Sequence, residues 1–436
     1  MMKMNYMNMN YRYFLALGSN LGNKQKNLDT AIDKLRGICK IIKIAPYYKT
    51  KPLIPTEKLI TNEYKKTFLN TVIEINTNLE PLQLLEKTQE IEINMGRPKT
   101  HAFWSPRIID IDILYCEYKG KMINIDNKNL IIPHKELFNR AFVLDPMAQI
   151  APDLTIDGKN ILAYSKTNEK HQSAVMAIVN VNNNSFSGDG SLNPDEIEAK
   201  IKHLIKKRVA FIDIGAESTN PHAKPISWQE EIRRLEMVNI VKLIKKYKTN
   251  GVKFSIDTYH PETAEFAVNN GFDVINDVNG FKDKRMWQIM QNYKNIEAVI
   301  MHSIEPNGNK VNIIRDNENI LDILNIWVNN IEKQANTYNI EKNRIIIDYG
   351  IGFGKSAKQD LFIINNVNKI DNKMFRVLIG HSRKSFLKLL FNVNDISNIN
   401  ISDKDKITKK ISAKLTKNGV DILRLHVSLF INNFKI

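Results

Sequence analysis

AVMAIVNVN, residues 174–182, is the stretch on which the architecture turns. It reads as a buried strand that ends in a polar residue, Asn180, and from here onward the chain keeps one rhythm. Strand-like runs recur at AFIDIGA (210–216), KFSIDT (253–258), DVINDV (273–278), AVIMHS (298–303), RIIIDYG (344–350), RVLIGHS (376–382) and DILRLHV (421–427). Helical patterns lie between most of them, such as PDEIEAKIKHLIKKR (194–208) and SWQEEIRRLEMVNIVKLIKKYK (227–248). Eight strands alternating with helices over about 260 residues predict a (β/α)8 TIM barrel. Nearly every strand ends in a polar residue: Asn180, Glu217, Asp257, Asn276 with Asp277, His302, Asp348, Ser382, and Arg424 with His426. Barrel enzymes build their sites from strand ends on one rim, so eight such ends together point to an enzyme.

Upstream the order is irregular. RYFLALGSN (12–20), CKIIKIAPYYKT (39–50), FLNTVIEINTN (68–78) and RIIDIDILY (107–115) read as strands, and NLDTAIDKLRGI (27–38) and EPLQLLEKTQEIEINMG (80–96) as helices. This mixture predicts an α+β layer, helices on a mostly antiparallel sheet. The polar, aperiodic SKTNEKHQSA (165–174) is the linker signal. The expected domains are therefore 1–165 and 174–436, joined by 166–173.

The bulk numbers fit two domains with real cores: 436 residues, 43% hydrophobic and 25% charged. Two cysteines, Cys39 and Cys116, make no disulfide framework and read as reduced thiols of a cytoplasmic protein. The opening MMKMNYMNMNYRYF lacks the apolar core of a signal peptide, and no run of about 18 apolar residues predicts a membrane span. The net charge of +16 suits polyanionic partners, but the lysines are scattered rather than gathered in a stripe.

GRPKTHAFWSPRIIDIDILY (96–115) concentrates Arg97, Trp104, Arg107, Asp110 and Asp112. Asp110 and Asp112 share one strand face, with Ile109, Ile111 and Ile113 on the other. Paired carboxylates suit Mg2+, arginine offers bidentate donors to phosphate, and an aromatic can cover a base. These parts describe phosphoryl or pyrophosphoryl transfer. Spacing alone leaves open a solvated edge strand whose aspartates pair with Arg97 or Arg107.

With LGSN (17–20), FLN (68–70) and PH…NRAF (133–142), this block resembles the 6-hydroxymethyl-7,8-dihydropterin pyrophosphokinases over residues 12–160. The resemblance implies a ferredoxin-like α+β fold that binds ATP and a pair of Mg2+ ions; the pterin hydroxymethyl oxygen attacks the β-phosphorus and AMP leaves. It assigns the metals to Asp110 and Asp112, charge neutralisation to Arg97 and Arg107, and loop closure to Trp104. His134 and Arg140 would contact phosphates, with Gln89 and Glu92 toward ATP. Asn70 would read the pterin edge between Phe68 and Phe142, near Thr50 and Leu53. Lys51 departs from the family, which often carries two consecutive prolines after the threonine.

In the second half, IVNVNNNSFSGDG (178–190), DIGAESTNP (213–221), FSIDT, VINDVNG, VIMH, DYGIGFGKS (348–356), GHSRKSFL (380–387) and ILRLH follow in order, and the chain over 174–436 resembles dihydropteroate synthases. Those enzymes condense the pterin pyrophosphate with para-aminobenzoate, releasing pyrophosphate. The resemblance places Asn180 on Mg2+, and Arg424, His426, Ser218 and Thr219 on pyrophosphate. It places Asp257, Asn276, Met301, Asp348, Gly380, Lys384 and Arg424 around the pterin, with Lys384 and Arg424 catalytic. Phe353, Ser382, Ser385 and Pro221 would line the para-aminobenzoate pocket, under a lid at 185–190. GFGKS is not a phosphate-binding P-loop, because Tyr349 stands where that loop needs glycine. Asn220 and Tyr349 replace the family's usual arginine and proline.

Fusion of the two resemblances implies consecutive steps of folate synthesis acting on small molecules, with no nucleic-acid or membrane partner. Similar barrels usually pair through their helices, which leaves a homodimer open. An alternative keeps the kinase and makes the barrel a pterin-binding module without synthase activity.

Overall fold

The computed structural model describes residues 10–52, 66–98, 105–167, 171–182, 190–217, 224–248, 252–304 and 314–426. The chain divides into two compact units, Met1–Lys170 and His171–Ile436.

The first unit runs β1 (Tyr11–Ser19), α1 (Lys24–Leu35), β2 (Lys40–Ile44), β3 (Tyr48–Thr50), β4 (Phe68–Thr77), α2 (Pro81–Asn94), β5 (Asp110–Tyr118) and β6 (Lys121–Met122). Its antiparallel sheet has the order β2-β4-β1-β5-β6, with β3 paired to β4. Two βαβ halves interleaved in this way give the ferredoxin-like topology. Leu28, Ala31, Ile32 and Leu35 of α1 and Leu84 and Ile91 of α2 pack on Leu15, Leu17, Ile73, Ile111 and Ile113. After the short pairs β7 (Ile125–Asp126) with β8 (Ile131–Ile132) and β9 (Thr155–Ile156) with β10 (Lys159–Asn160), the helices α3 (Ala141–Ile150) and α4 (Ile161–Thr167) cover the opposite face. There Val143, Leu144 and Met147 meet Phe14, Val72 and Leu114. The sheet is thus sandwiched between two helical layers.

Three elements differ from their sequence reading. The strand read at 107–115 begins at Asp110, because Asn20 holds the backbone of Arg107 from both sides. A bulge shifts the β1–β5 register between Phe14 and Leu15, so Leu114 and Tyr115 both face α3. Pro46 lies where the stretch 39–50 breaks into β2 and β3, and the helix read at 227–248 divides at Asn239, which takes a left-handed φ of 53°. The linker is also narrower than the polar stretch. Ser165 lies in α4 with its hydroxyl on Asp145 (2.6 Å), and the Ser173 hydroxyl donates to the Val420 carbonyl (2.6 Å). Both polar residues found buried partners, which composition does not reveal.

The second unit is a closed parallel barrel of β11 (Ala174–Asn180), β12 (Phe211–Gly215), β13 (Lys253–Asp257), β14 (Val274–Asp277), β15 (Glu297–Met301), β16 (Ile345–Asp348), β17 (Arg376–Ile379) and β18 (Ile422–His426). The helices α5 (Pro194–Lys207), α6 (Trp228–Met237), α7 (Ile240–Tyr247), α8 (Pro261–Asn269), α9 (Lys284–Asn292), α10 (Ile320–Thr337), α11 (Ala357–Asn366), α12 (Leu387–Leu390) and α13 (Ile401–Lys417) lie along the chain between the strands. Met176, Phe211, Val274, Val299, Ile346, Leu378 and Ile422 form an apolar plug inside the barrel. By the two-residue period of a strand, Asp213, Asn276, Asp348, Gly380 and Arg424 share the inward face with that plug, one step toward the C-terminal rim.

Candidate active sites

In the first unit the motif residues converge at the start of β5. Arg97 Nη1 lies 2.6 Å from Glu92 and 2.7 Å from Asp110, and Arg107 Nη1 is 3.1 Å from the other Asp110 oxygen. Glu92 is buried and also accepts the Ile111 amide (2.6 Å). It therefore braces the arginine and the strand, while Gln89 lies exposed on α2. Burial pushes the Glu92 carboxyl up to about 7, with Asp110 and Asp112 adding and Arg97 opposing. Asp112 is held loosely: among the described residues its one ion pair is with Arg140 at 3.9 Å. Desolvation, and after it the charge of Asp110, push the Asp112 carboxyl above the ordinary range, and Arg140 opposes.

That repulsion is what a bound dication relieves. Two adjacent carboxylates, one of them weakly paired, offer hard oxygen donors of the kind Mg2+ takes alongside water and phosphate. The residues fit the ion.

The flanking groups link to the same network. Arg107 lies over the Phe68 ring (5.9 Å) and Arg140 over that of Phe142 (5.7 Å). Asn70 donates its amide N–H to Thr50 Oγ1 (2.8 Å), which leaves its amide oxygen as an acceptor. His134 Nδ1 accepts the Glu136 amide (3.1 Å), so the proton of the neutral ring belongs on Nε2. Burial, and then Arg140, hold His134 down to about 4, so that ring is neutral at pH 7. Asn20 was read only as part of LGSN; its amide oxygen takes the Arg107 N–H (2.7 Å) while its own N–H reaches the Arg107 carbonyl (3.1 Å).

At the barrel rim Arg424 is the hub. Its Nε donates to Asp213 (2.7 Å) and its Nη2 to Asp257 (2.5 Å), and Asn276 donates to the same Asp213 oxygen (2.9 Å). Asp213 is fully buried and was not singled out from the sequence; the signal was an aspartate between isoleucines in FIDIG, inside a strand rather than at its end. A β-carbon on Gly380 would lie 3.8 Å from both Arg424 Cβ and Asp348 Oδ2, so this position joins the two. Burial raises the Asp348 carboxyl, opposed by the Gly350 amide and by Lys384 and Arg424. Lys384 Nζ stands 4.3 Å over the Phe353 ring. His426 Nδ1 and Ser382 Oγ are 3.0 Å apart, so the residues expected at pyrophosphate and at para-aminobenzoate are in contact. Met301 is buried, and Asn180 and Ser385 are half-buried. Tyr349 is wholly buried in the layer between strands and helices.

Leu53, Trp104, Ser218, Thr219, Asn220, Pro221 and the lid residues 185–189 lie outside the described residues. Among those described, no group of three or more His, Cys, Asp or Glu could hold a metal, and no helix is long and apolar enough to cross a membrane.

Residues 176–426 match the family model of pterin binding enzymes, and residues 14–152 that of 7,8-dihydro-6-hydroxymethylpterin-pyrophosphokinase. The folate synthesis bifunctional protein of Arabidopsis thaliana is 31% identical over 469 residues, covering 94% of this chain and 92% of that one. Folic acid synthesis protein fol1 of Schizosaccharomyces pombe is 30% identical over 95% of this chain, which spans 57% of that relative's length. Dihydropteroate synthase of Anaplasma phagocytophilum, solved with bound 6-hydroxymethylpterin-monophosphate, matches with a TM-score of 0.52 and 30% identity over 60% of this chain and 96% of that one. With both family models matched in order and a relative aligned almost end to end, the chain belongs to the bifunctional folate-synthesis proteins, in which a hydroxymethyl-dihydropterin pyrophosphokinase precedes a pterin-binding enzyme barrel.

Proposed function

We propose that this chain catalyses two consecutive steps: pyrophosphoryl transfer from ATP to 6-hydroxymethyl-7,8-dihydropterin in the first unit, then condensation of the product with para-aminobenzoate in the barrel. The observation that carries the reading is Asp110 and Asp112 among Arg97, Arg107 and Arg140, in one unit of a chain whose other unit gathers Asp257, Asn276, Asp348, Lys384 and Arg424. We assign residues 1–165 to the kinase and 174–436 to the synthase.

In the kinase, Asp110 and Asp112 would hold Mg2+, which neutralises the triphosphate when bound. Arg97 and Arg107 add cationic donors, Arg140 and the Nε2–H of His134 meet phosphate oxygens, and Trp104 closes the loop. Phe68 and Phe142 clasp the pterin while the Asn70 oxygen accepts from its edge; Thr50 and Leu53 border it. The hydroxymethyl oxygen loses its proton to solvent and bonds to the β-phosphorus, and the bond from that phosphorus to the oxygen of the departing AMP breaks. Gln89 belongs to the ATP side, and Glu92 acts through Arg97.

In the synthase, Asp257, Asn276, Asp348 and Lys384 hydrogen-bond the pterin, Met301 packs on it, and Gly380 leaves room between Asp348 and Arg424. Asn180 would ligate one Mg2+ together with pyrophosphate oxygens. Arg424, His426, Ser218 and Thr219 stabilise the leaving pyrophosphate as its C–O bond breaks, and the amine of para-aminobenzoate forms the new C–N bond and loses a proton. Phe353, Ser382, Ser385 and Pro221 shape that second pocket. The free, buried thiols of Cys39 and Cys116 fit a reducing compartment such as the cytoplasm. Ile326, Phe362, Leu389 and Leu390, exposed on successive barrel helices α10 to α12, offer a face for a homodimer.

The test supplies ATP, Mg2+, hydroxymethyl-dihydropterin and para-aminobenzoate and measures AMP and dihydropteroate. Both products are expected. AMP without dihydropteroate would leave a kinase fused to a binding barrel, and neither product would end the reading.

A further inference from the structure

GFGKS, which is not a phosphate-binding loop, still contains a charge in an unusual place. Lys355 follows β16 by seven residues and is buried, with its ammonium away from water. Its Nζ donates to the carbonyls of Gly350 (2.9 Å), Phe353 (3.1 Å) and His302 (3.2 Å). An ammonium has three N–H groups, and all three are used on backbone oxygens. The carboxylates of Asp360 and Asp348 act on it only through space.

Each of the three carbonyls belongs to a residue with a second connection. Gly350, at a left-handed φ of 65°, donates its amide to Asp348 Oδ1 (2.9 Å). A β-carbon there would lie 2.0 Å from the His302 carbonyl, so the loop folds back tightly on the end of β15. His302 donates its own amide to the Asp348 carbonyl (2.8 Å) and follows Met301. Phe353 supplies the ring beneath Lys384. One ammonium therefore ties the backbone that aims Asp348 to the backbone that seats Lys384. Arginine would spread its donors over a plane, whereas a lysine tip can reach three converging carbonyls.

We propose that Lys355 is a positioning residue for the synthase, fixing the β16–α11 loop so that Asp348 and Lys384 together meet the pterin. The inference rests on the assignment of the pterin to Asp348 and Lys384. Its effect falls on the synthase and not on the kinase: it reaches the pterin through both Asp348 and Lys384, and the para-aminobenzoate pocket only through Phe353.

The experiment uses the full chain with preformed pterin pyrophosphate and varies each substrate of the synthase in turn. Lys355→Met keeps the length of the side chain and removes the charge; it is expected to raise KM for the pterin pyrophosphate about tenfold or more, with a smaller rise in KM for para-aminobenzoate through Phe353 and with AMP release unchanged. An unchanged pterin KM in folded Lys355→Met overturns the proposal, as does a fall in kcat alone. If Lys355→Met does not accumulate folded, Lys355→Arg takes its place: a pterin KM raised about fivefold supports the assignment, and an unchanged one overturns it. Asp348→Asn separates the two readings. If it raises the pterin KM and Lys355→Met does not, only the role of Lys355 falls; if Asp348→Asn itself has no effect, the pterin assignment falls and this role with it.

Discussion

The Asp112 side chain is 39% exposed and its one ion pair among the described residues, with Arg140, is 3.9 Å long; Asp213 has no exposed side-chain surface and receives Arg424 at 2.7 Å. Both are aspartates set among isoleucines on a strand, yet they are held in opposite ways. On β5 Asp110 is paired with Arg97 and Arg107, but Asp112 is loosely partnered, which suits a carboxylate proposed to take up a metal. The carboxylates of the barrel are locked to Arg424 and Asn276 before any substrate arrives. On the proposed function, charge that would neutralise a triphosphate is left available, while a frame that would read the edge of a flat heterocycle is made rigid.

Substitutions should break this contrast in graded ways. Asp112→Ala should reduce AMP release by about a thousandfold or more while leaving synthesis from preformed pterin pyrophosphate intact. Loss of both activities in a folded variant would contradict separate sites. Arg424→Met should abolish dihydropteroate formation and leave Asp213 and Asp257 without their cation, lowering barrel stability by about 3–5 kcal/mol in urea unfolding. A variant as stable as the parent would show that the aspartates are not held as a frame. Asn20→Ala removes the side-chain half of the hold on Arg107, leaving the backbone bond from Asn20 to its carbonyl, and should raise KM for ATP about tenfold, while an unchanged value would make the side-chain clamp irrelevant to the phosphate site.

The smallest effect concerns pH. His134 sits at about 4 when folded, below its ordinary 6.5, so the unfolded chain binds the extra proton between those values. Its contribution is complete above pH 6.5 and is lost as pH falls toward 4. His134→Asn should therefore flatten the decline of the kinase unit's melting temperature from pH 7 to pH 5. An equally steep decline would assign that loss to other groups.

Much of this was legible beforehand. All eight barrel strands lie where alternation placed them, because buried parallel strands leave compact apolar runs. Asp110 pairs with Arg97 and Arg107, the partnership that the solvated-strand reading of the same spacing left open. Glu92 was read toward ATP, but it is buried against Arg97 and the Ile111 amide, a partnership spanning a helix and a strand that no local pattern encodes. The second helical layer of the first unit went unread for a similar reason. A sheet with one apolar face and a sheet with two differ mainly in a few residues, here Phe14, Val72 and Leu114.

The sequence by itself determined the elements, their order and the chemical inventory, since periodicity, turn residues and motif spacing are local properties of the chain. Tertiary structure decided which charges are partnered and which remain available. Asp213 on Arg424, Lys355 on three carbonyls and the loosely held Asp112 follow from residues brought together across strands, where burial and geometry fix the worth of each charge.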